Sequence, residues 1–585
     1  MRKLSKTPRI IQLLKDNKEE AEFSKMLATI RRDAPVTFVF PEKTFKENLD
    51  IKKVTALWTK LELRTLIQRL QKAVSDVPRT KPAPRAEQEF SEPDMEGSRP
   101  RVEKSDNPNA TLDFKPAIIV DSEELEKTLL ALWLVNSNLT NPNLDDVLNF
   151  GNTDSFTEAQ RIVYTELDKR GLRRVYENIE LPLIPIVKKM ETHGIKVDKE
   201  FLAGLSKTYH KELDRLDKEI TKHAGMEFNI NSPKQLGEVL FDKMGLTAKN
   251  LKKTAGGARS TRESELEKMR DLHPIVPMIF EHRELSKLLS TYIDAIPPQL
   301  DAQNHLHSHL VSAGSTTGRM ASLNPNLQNI PVKTELGKAI RNAFISEKGF
   351  KLCAFDYSQM ELRIAAFMSN DEKLIDIFTK GEDVHTSVAA FVFKVPQDQV
   401  TSDMRRKAKV INFGIIYGMG VSALKQNLGT SRDEAQNFLN DYFATFSGLA
   451  QYLNNVKSET ALRGYTETFY GRRRYFEGIK SKLPFIRAAA ERMAINAPIQ
   501  GTEADVIKLA MQKIDEYIQK EKLENDVHAL LQVHDELVYE IREDKVKKVA
   551  ADIEKIMETV MDPKDTKGVI LKATAHIGNN WGELK

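Results

Sequence analysis

Apolar and polar positions change rhythm along this chain near residue 300. Before it, apolar residues recur mostly at helical spacing. Residues 1–75 carry that periodicity around a β-like "PVTFVF" at 35–40 and end in "LWTKLELRTLIQRLQ", which predicts a small helical unit. Residues 76–113 are rich in Pro, charge and small polar residues and nearly free of aliphatics, so they read as a disordered linker with too little apolar surface to order itself. A compact segment begins at "PAIIVDSEELEKTLLALWLV", and long heptad-like helices follow from about 176. They bracket a loop at 248–269 in which Lys249, Lys252, Lys253 and Arg259 accompany a Gly pair. Such a loop can lie against phosphates, or it can be a solvated charged turn.

After residue 300, short apolar strands carrying carboxylates alternate with long helices. "FKLCAFDYSQMELRIAAFM" (350–368) predicts a strand that ends near Asp356 and passes into a helix. "LLQVHDELVYE" (530–540) predicts strand on both sides of a polar crest formed by His534, Asp535 and Glu536. Two strands that each deliver an aspartate to one place can hold a pair of Mg²⁺ ions about 4 Å apart, the arrangement that phosphoryl and nucleotidyl transfer use. A simple hairpin turn is the competing explanation. "MRRKAKVINFGIIYGMG" (404–420) puts Arg405, Lys409, Phe413 and Tyr417 at successive i, i+4 positions, so cations and then aromatics share one helical face. That face suits a triphosphate and a stacked base, although an amphipathic core helix with a cationic end has the same pattern. In "RAAAERMAINAPIQGTEADVIKLAM" (487–511), Arg492, Asn496 and Gln500 repeat the spacing with groups that can meet base-edge acceptors in a minor groove.

Composition narrows the setting more than the chemistry. A chain of 585 residues with 40% hydrophobic content is long enough for several domains. The formal charge of +4 is small beside 88 basic and 84 acidic residues, so nucleic-acid binding must come from how charge is distributed. One cysteine, Cys353, excludes an internal disulfide framework and a cysteine-rich zinc site. No run reaches the roughly 18 apolar residues of a membrane helix, and the N-terminus lacks a signal-peptide core, so the expected location is the cytoplasm.

"DYSQMELR" (356–363), "RRKAKVINFGIIYG" (405–418) and "QVHDELVYE" (532–540) resemble, in order and separation, the three signature motifs of family A DNA polymerases. "TTGRMASLNPNLQNIP" (316–331), "TETFYGRRR" (466–474) and "APIQGTEADVIK" (497–508) are also similar to the family, and the likeness covers roughly 176–585. The resemblance implies an α+β multidomain fold shaped as a right hand: a palm with an antiparallel sheet (301–370 and 501–585), helical fingers (371–500) and a helical thumb (176–300). It implies that Asp356 and Asp535 bind two Mg²⁺ ions, for which Mn²⁺ can substitute, that the Tyr357 carbonyl assists, and that Glu536 lies beside them. Lys409, Arg405 and His385 would contact the triphosphate, and Gln359, Phe413, Glu361 and Tyr417 would complete the dNTP site. Glu361 with Tyr417 occupies the place of the family's sugar-selecting pair, and Phe413 that of its variant that rejects dideoxynucleotides. Arg319, Gln328, Asn329, Arg492, Asn496, Gln500 and His534 correspond to primer-template contacts. Lys252, Lys253, Arg259, Ser260 and Thr261 fall at the thumb tip, with Lys287 as a further DNA contact. The implied partners are primer-template DNA and dNTPs, with no membrane, and the implied state is a monomer.

The likeness has gaps. Residues 1–75 resemble only the C-terminal part of a 5′-nuclease domain, and 114–175 is far shorter than a proofreading exonuclease, so it reads as a degenerate remnant. Asp121 and Glu123 (D-x-E) and Tyr164 and Asp168 (Y-x-x-x-D) match exonuclease spacings only by coincidence on this reading, which predicts neither proofreading nor 5′-nuclease activity. After Tyr417, "GMGVSALKQ" departs from the family pattern. A single-subunit RNA polymerase or reverse transcriptase would share parts of the palm, and Glu361 with Tyr417 argues against ribonucleotide use.

Overall fold

The computed structural model describes residues 120–584, except 249, 250, 255, 256 and 333, together with Val54. The expectations for 1–75 and 76–113, and for Lys249, lie outside the described residues.

Three helices open the described chain: α1 (Ser122–Val135), α2 (Leu144–Gly151) and α3 (Phe156–Lys169). Their starts follow local capping chemistry. Asn143 and Asp146 form a reciprocal capping box at α2, and Ser155 accepts from the Glu158 N–H at α3. Leu132, Trp133, Leu134, Val135, Val163 and Leu167 make their core, which continues onto Val311 and Ala313. No strand occurs among the described residues between 120 and 175.

Next come α4 (Leu183–His193), α5 (Lys199–Ala224) and α6 (Ile275–Leu288). Asp198 caps α5 and Gly225 ends it at φ 70°, a left-handed position that suits glycine. The loop between α5 and α6 is tied by a bridge between Lys253 and Arg259.

The sheet that organises the site is built from β1 (Phe350–Tyr357), which leads into α7 (Met360–Ser369), and from three later strands. Between them lie α8 (Val384–Phe393), α9 (Ser402–Ile416) and α10 (Pro484–Lys520). Then follow β2 (Val527–Val533), β3 (Glu536–Arg542), α11 (Val546–Glu558) and β4 (Ala573–Gly578). Strand order is β4-β1-β3-β2, with every neighbouring pair antiparallel. Side chains alternate between two buried faces. Cys353, Phe355, Tyr357, Leu537 and Tyr539 join one core, and Leu352, Ala354, Val533 and Val538 join another with Trp581 and residues of α5 and α6. A strand covered on both faces reads as a continuous apolar run, which is why the polar residues at the crest stand out.

The helix expected over 404–420 is α9, shorter at its C-terminal end: Tyr417 is its C-cap and Gly418 follows at φ 65°. The helix expected over 487–511 is the longer α10. Pro484 sits in its first turn, and Pro498 lies inside it, where the Pro498 carbonyl accepts from Thr502 Oγ1 at 2.7 Å.

Candidate active site

The crest of the β2–β3 hairpin is a two-residue turn of His534 and Asp535, with Val533 paired to Glu536 and His534 at φ 56°. Asp356, next to last in β1, pairs in register with Glu536, and the Tyr357 N–H donates to the Asp535 carbonyl at 3.3 Å. Both aspartates therefore reach the same end of the sheet, each half-buried. The Tyr357 ring is buried and its hydroxyl donates to the Met557 carbonyl at 2.9 Å, so its side chain serves packing and only its backbone borders the aspartates. Gln359, half-buried, holds the left-handed N-cap of α7 at φ 49°.

Glu536 lies beside the pair, but it is only 4% exposed and its Oε1 accepts from the Trp581 indole N–H at 3.2 Å. Its carboxylate is thus committed to the protein interior. The Arg341 guanidinium lies over the same indole, 4.0 Å from the ring centroid.

Behind the aspartates is a chain of charge-assisted bonds. Tyr417 Oη donates to Glu361 Oε2 at 2.7 Å, and Arg319 Nη2 donates to Glu361 Oε1 at 3.1 Å and to Glu503 Oε2 at 2.6 Å. Burial raises the Glu503 carboxyl to about 8; Arg319 opposes the shift, while Glu361 and Asp535 add to it. Burial and the Glu361 carboxylate likewise push the Tyr417 phenol up. Carboxylates outnumber cations here, and the donor set of Asp356, Asp535 and the neighbouring backbone is all oxygen. That chemistry fits hard divalent cations.

Along α9, Arg405 and Lys409 are exposed, Phe413 is half-buried and Tyr417 caps the end, so the expected stripe is the solvent-facing one. Arg405 holds Asp383 through two bonds, at 3.1 and 2.8 Å, while Asp383 caps α8 by accepting from the Thr386 N–H. Lys409 has no ion pair among the described residues. His385 is buried and packs against Phe413, ring centroids 5.8 Å apart. Asn412 Nδ2 donates to its Nδ1 at 3.0 Å, which puts the ring proton on Nε2. Burial pushes this imidazole down to about 4, with Asp383 opposing and the Arg405 and Lys409 cations adding, so it is neutral at pH 7.

The residues expected to meet primer-template DNA are placed unevenly. Arg492 is exposed, and Asn496 and Gln500 are half-buried one and two turns further along the same face of α10. Asn496 Oδ1 is buried without a partner. The approach of Tyr417–Gly418 to α10 is close: a Cβ on Gly418 would lie 3.1 Å from Arg492 Cα. Gln328 is turned inward, donating to the Met320 and Gln532 carbonyls at 3.2 and 3.1 Å, and Gln532 in turn donates to the His534 carbonyl at 2.5 Å. Asn329 and His534 are exposed.

On the loop before α6, Lys252 and Lys253 are exposed, whereas Arg259 pairs with Asp242 and lies over the Phe241 ring. Ser260 and Thr261 are 5% and 6% exposed, because they form the inner side of this loop, where the Thr261 carbonyl accepts from Arg283 at 2.7 Å. Lys287 is exposed on α6.

Glu503, Gln532, Asn412 and Asp383 were not singled out from the sequence. The available signal was a polar residue inside an otherwise apolar run, as in "QGTEADVIK" and "LLQVHDE".

The antiparallel sheet brings Asp356 and Asp535 to one end, and the C-cap of α9 is hydrogen-bonded to Glu361 on α7. The chain belongs to DNA polymerase family A, whose model matches residues 199–583. It is 43% identical to DNA polymerase I of Pseudomonas aeruginosa over 415 residues, 71% of this chain and 45% of that protein. It is 43% identical to the thermostable DNA polymerase I of Thermus aquaticus over 412 residues, 70% of this chain and 48% of that one. The chain thus spans about half the length of the curated relatives it matches. The POL domain of Pol1 from M. smegmatis, solved in complex with DNA primer-template and dNTP, superposes with a TM-score of 0.73 at 33% identity, covering 78% of this chain and 82% of that one.

Proposed function

We propose that this chain is a DNA-directed DNA polymerase that extends a primer 3′-hydroxyl with dNTPs under template direction. The observation that carries the reading is the convergence of Asp356 and Asp535 at one sheet end, behind which Glu361 and Tyr417 are hydrogen-bonded. On this reading residues 176–300 act as thumb, 301–370 and 501–585 as palm, and 371–500 as fingers. Asp356, Asp535 and the Tyr357 carbonyl would hold two Mg²⁺ ions, whose charge would supply activation of the attacking hydroxyl and neutralisation of the leaving pyrophosphate. Lys409 and Arg405 bind the triphosphate as fixed cations, and His385 adds a neutral Nε2–H donor, so its contribution carries no protonation step near pH 6.5. Phe413 supports the base. Glu536, through Trp581, positions the hairpin and does not touch the substrate.

The Glu361–Tyr417 pair closes the pocket where a ribose 2′-hydroxyl would fall. Glu361→Ala is expected to narrow the preference for dNTPs over NTPs by about tenfold or more, measured as the ratio of kcat/KM in single-nucleotide extension. An unchanged ratio would remove Glu361 from sugar selection.

We also propose that the chain does not proofread. Among the candidate exonuclease residues, Glu123 pairs with Lys127, Asp168 with Arg173, and the Tyr164 hydroxyl with that of Tyr176. Pure protein is expected to leave a mismatched 3′ end intact; its removal, lost on Asp121→Ala, would contradict this.

A further inference from the structure

Glu503 has no part in the assignments above, yet it makes the shortest bond in the chain that links the sugar pocket to Arg319. It sits on α10, buried, with its Oε2 at 2.6 Å from Arg319 Nη2. The same nitrogen reaches Glu361 Oε1 at 3.1 Å, and Glu361 Oε2 receives the Tyr417 hydroxyl. One nitrogen of Arg319 is therefore shared by two carboxylates, and the shorter, better-buried bond belongs to Glu503. Arg319 Nε is buried without a partner, and Nη1 makes no hydrogen bond among the described residues, while the side chain is 28% exposed. The guanidinium is anchored through Nη2, and Nη1 is uncommitted among the described residues.

We infer that Glu503 is a positioning residue that anchors Arg319 Nη2, so that this nitrogen supports Glu361 while Nη1 stays open to an acceptor on the primer terminus. The inference rests on the polymerase reading of the site. Without the anchor, Arg319 has Glu361 as its one acceptor among the described residues. A full bidentate pairing there would compete with Tyr417 for the carboxylate and turn Nη1 away from the primer. Sugar selection and sensing of the primer end would then fail together, although Glu503 touches neither nucleotide nor primer.

Two carboxylates share one guanidinium in a buried place, and burial pushes the Glu503 carboxyl up. The amide oxygen of Gln keeps an acceptor for Arg319 at this position. Met fills a similar volume with no such acceptor.

The test compares wild type with E503Q, E503M and E503A in single-nucleotide extension. It scores two ratios: dNTP over NTP selectivity, and matched over mismatched primer ends. E503M is expected to lower both by about tenfold, and E503Q to hold both within about threefold of wild type. E503A serves in place of E503M if thermal melting shows that E503M is unfolded. A purely packing role would slow all substrates alike and leave both ratios unmoved. Unchanged ratios in the variants lacking an acceptor, or equal losses in E503Q and E503M, would overturn the inference. Failure of wild type to extend a matched primer would instead overturn the polymerase reading on which it rests.

Discussion

Replacing Asp535 with Ala is expected to lower the rate of primer extension by roughly 10²- to 10³-fold or more, with primer-template affinity held within about threefold. The two-residue turn of the β2–β3 hairpin places Asp535 at the tip, outside the ladder, while the Tyr357–Asp535 backbone bond and the Asp356–Glu536 register bring that tip against the end of β1. Removing the Asp535 side chain takes away a charge that the surrounding carboxylates cannot replace. Glu361 and Glu503 are occupied by Arg319, and Glu536 by Trp581. Asp356→Ala is expected to behave similarly. Glu536→Gln, which keeps an acceptor for the indole, should cost far less, about tenfold or below. Rapid-quench extension alongside a filter or anisotropy binding assay separates the chemical step from DNA binding, and a D535A rate within a few fold of wild type would contradict the account.

The largest expected effect on stability is at Arg472. Its guanidinium pairs with Glu180 and, at 2.7 Å, with Asp505, while Lys508 reaches Glu180 at 2.7 Å, and all four side chains are buried. Arg472 and Lys508 also lie 5.1 Å from the Trp133 ring centroid, which ties α1 to α10. Two carboxylates balance two cations. Arg472→Ala leaves two buried carboxylates with one cation, an imbalance that costs roughly 3–5 kcal/mol. A Cβ on Gly318 would lie 2.8 Å from Arg472 Nε, so the loss also loosens the segment that carries Arg319. Urea denaturation of R472A should show the midpoint moving down accordingly; a change within about 1 kcal/mol would contradict the reading of this network as a balanced set.

What could be read from the sequence follows from how local the determining contacts are. The strand bearing Asp356 and the hairpin bearing Asp535 were legible because both sheet faces are buried, so any charged residue in the run is conspicuous. The α9 stripe was legible because its four members lie on one helix at fixed spacing. The burial of His385 is not legible in its own segment, because what buries it, Phe413 and Asn412, comes from a different helix. The inward turn of Glu536 depends on Trp581, 45 residues later, and the burial of Ser260 and Thr261 on the fold of their loop against α6. The Glu180–Arg472–Asp505–Lys508 set joins residues up to 328 positions apart. No periodicity encodes such a meeting. Glu503 fell between these cases: visible as a charge in "QGTEADVIK", but without meaning until Arg319 was beside it.

The most direct measurement of the central claim is template-directed single-nucleotide insertion. Purified protein, Mg²⁺ and a primer annealed to each of four DNA templates are supplied with one dNTP at a time. The account predicts one-nucleotide extension only with the complementary dNTP on each template, weak extension with the matching NTP, and none by D535A. No extension by wild type, extension indifferent to the template base, or undiminished extension by D535A would contradict it.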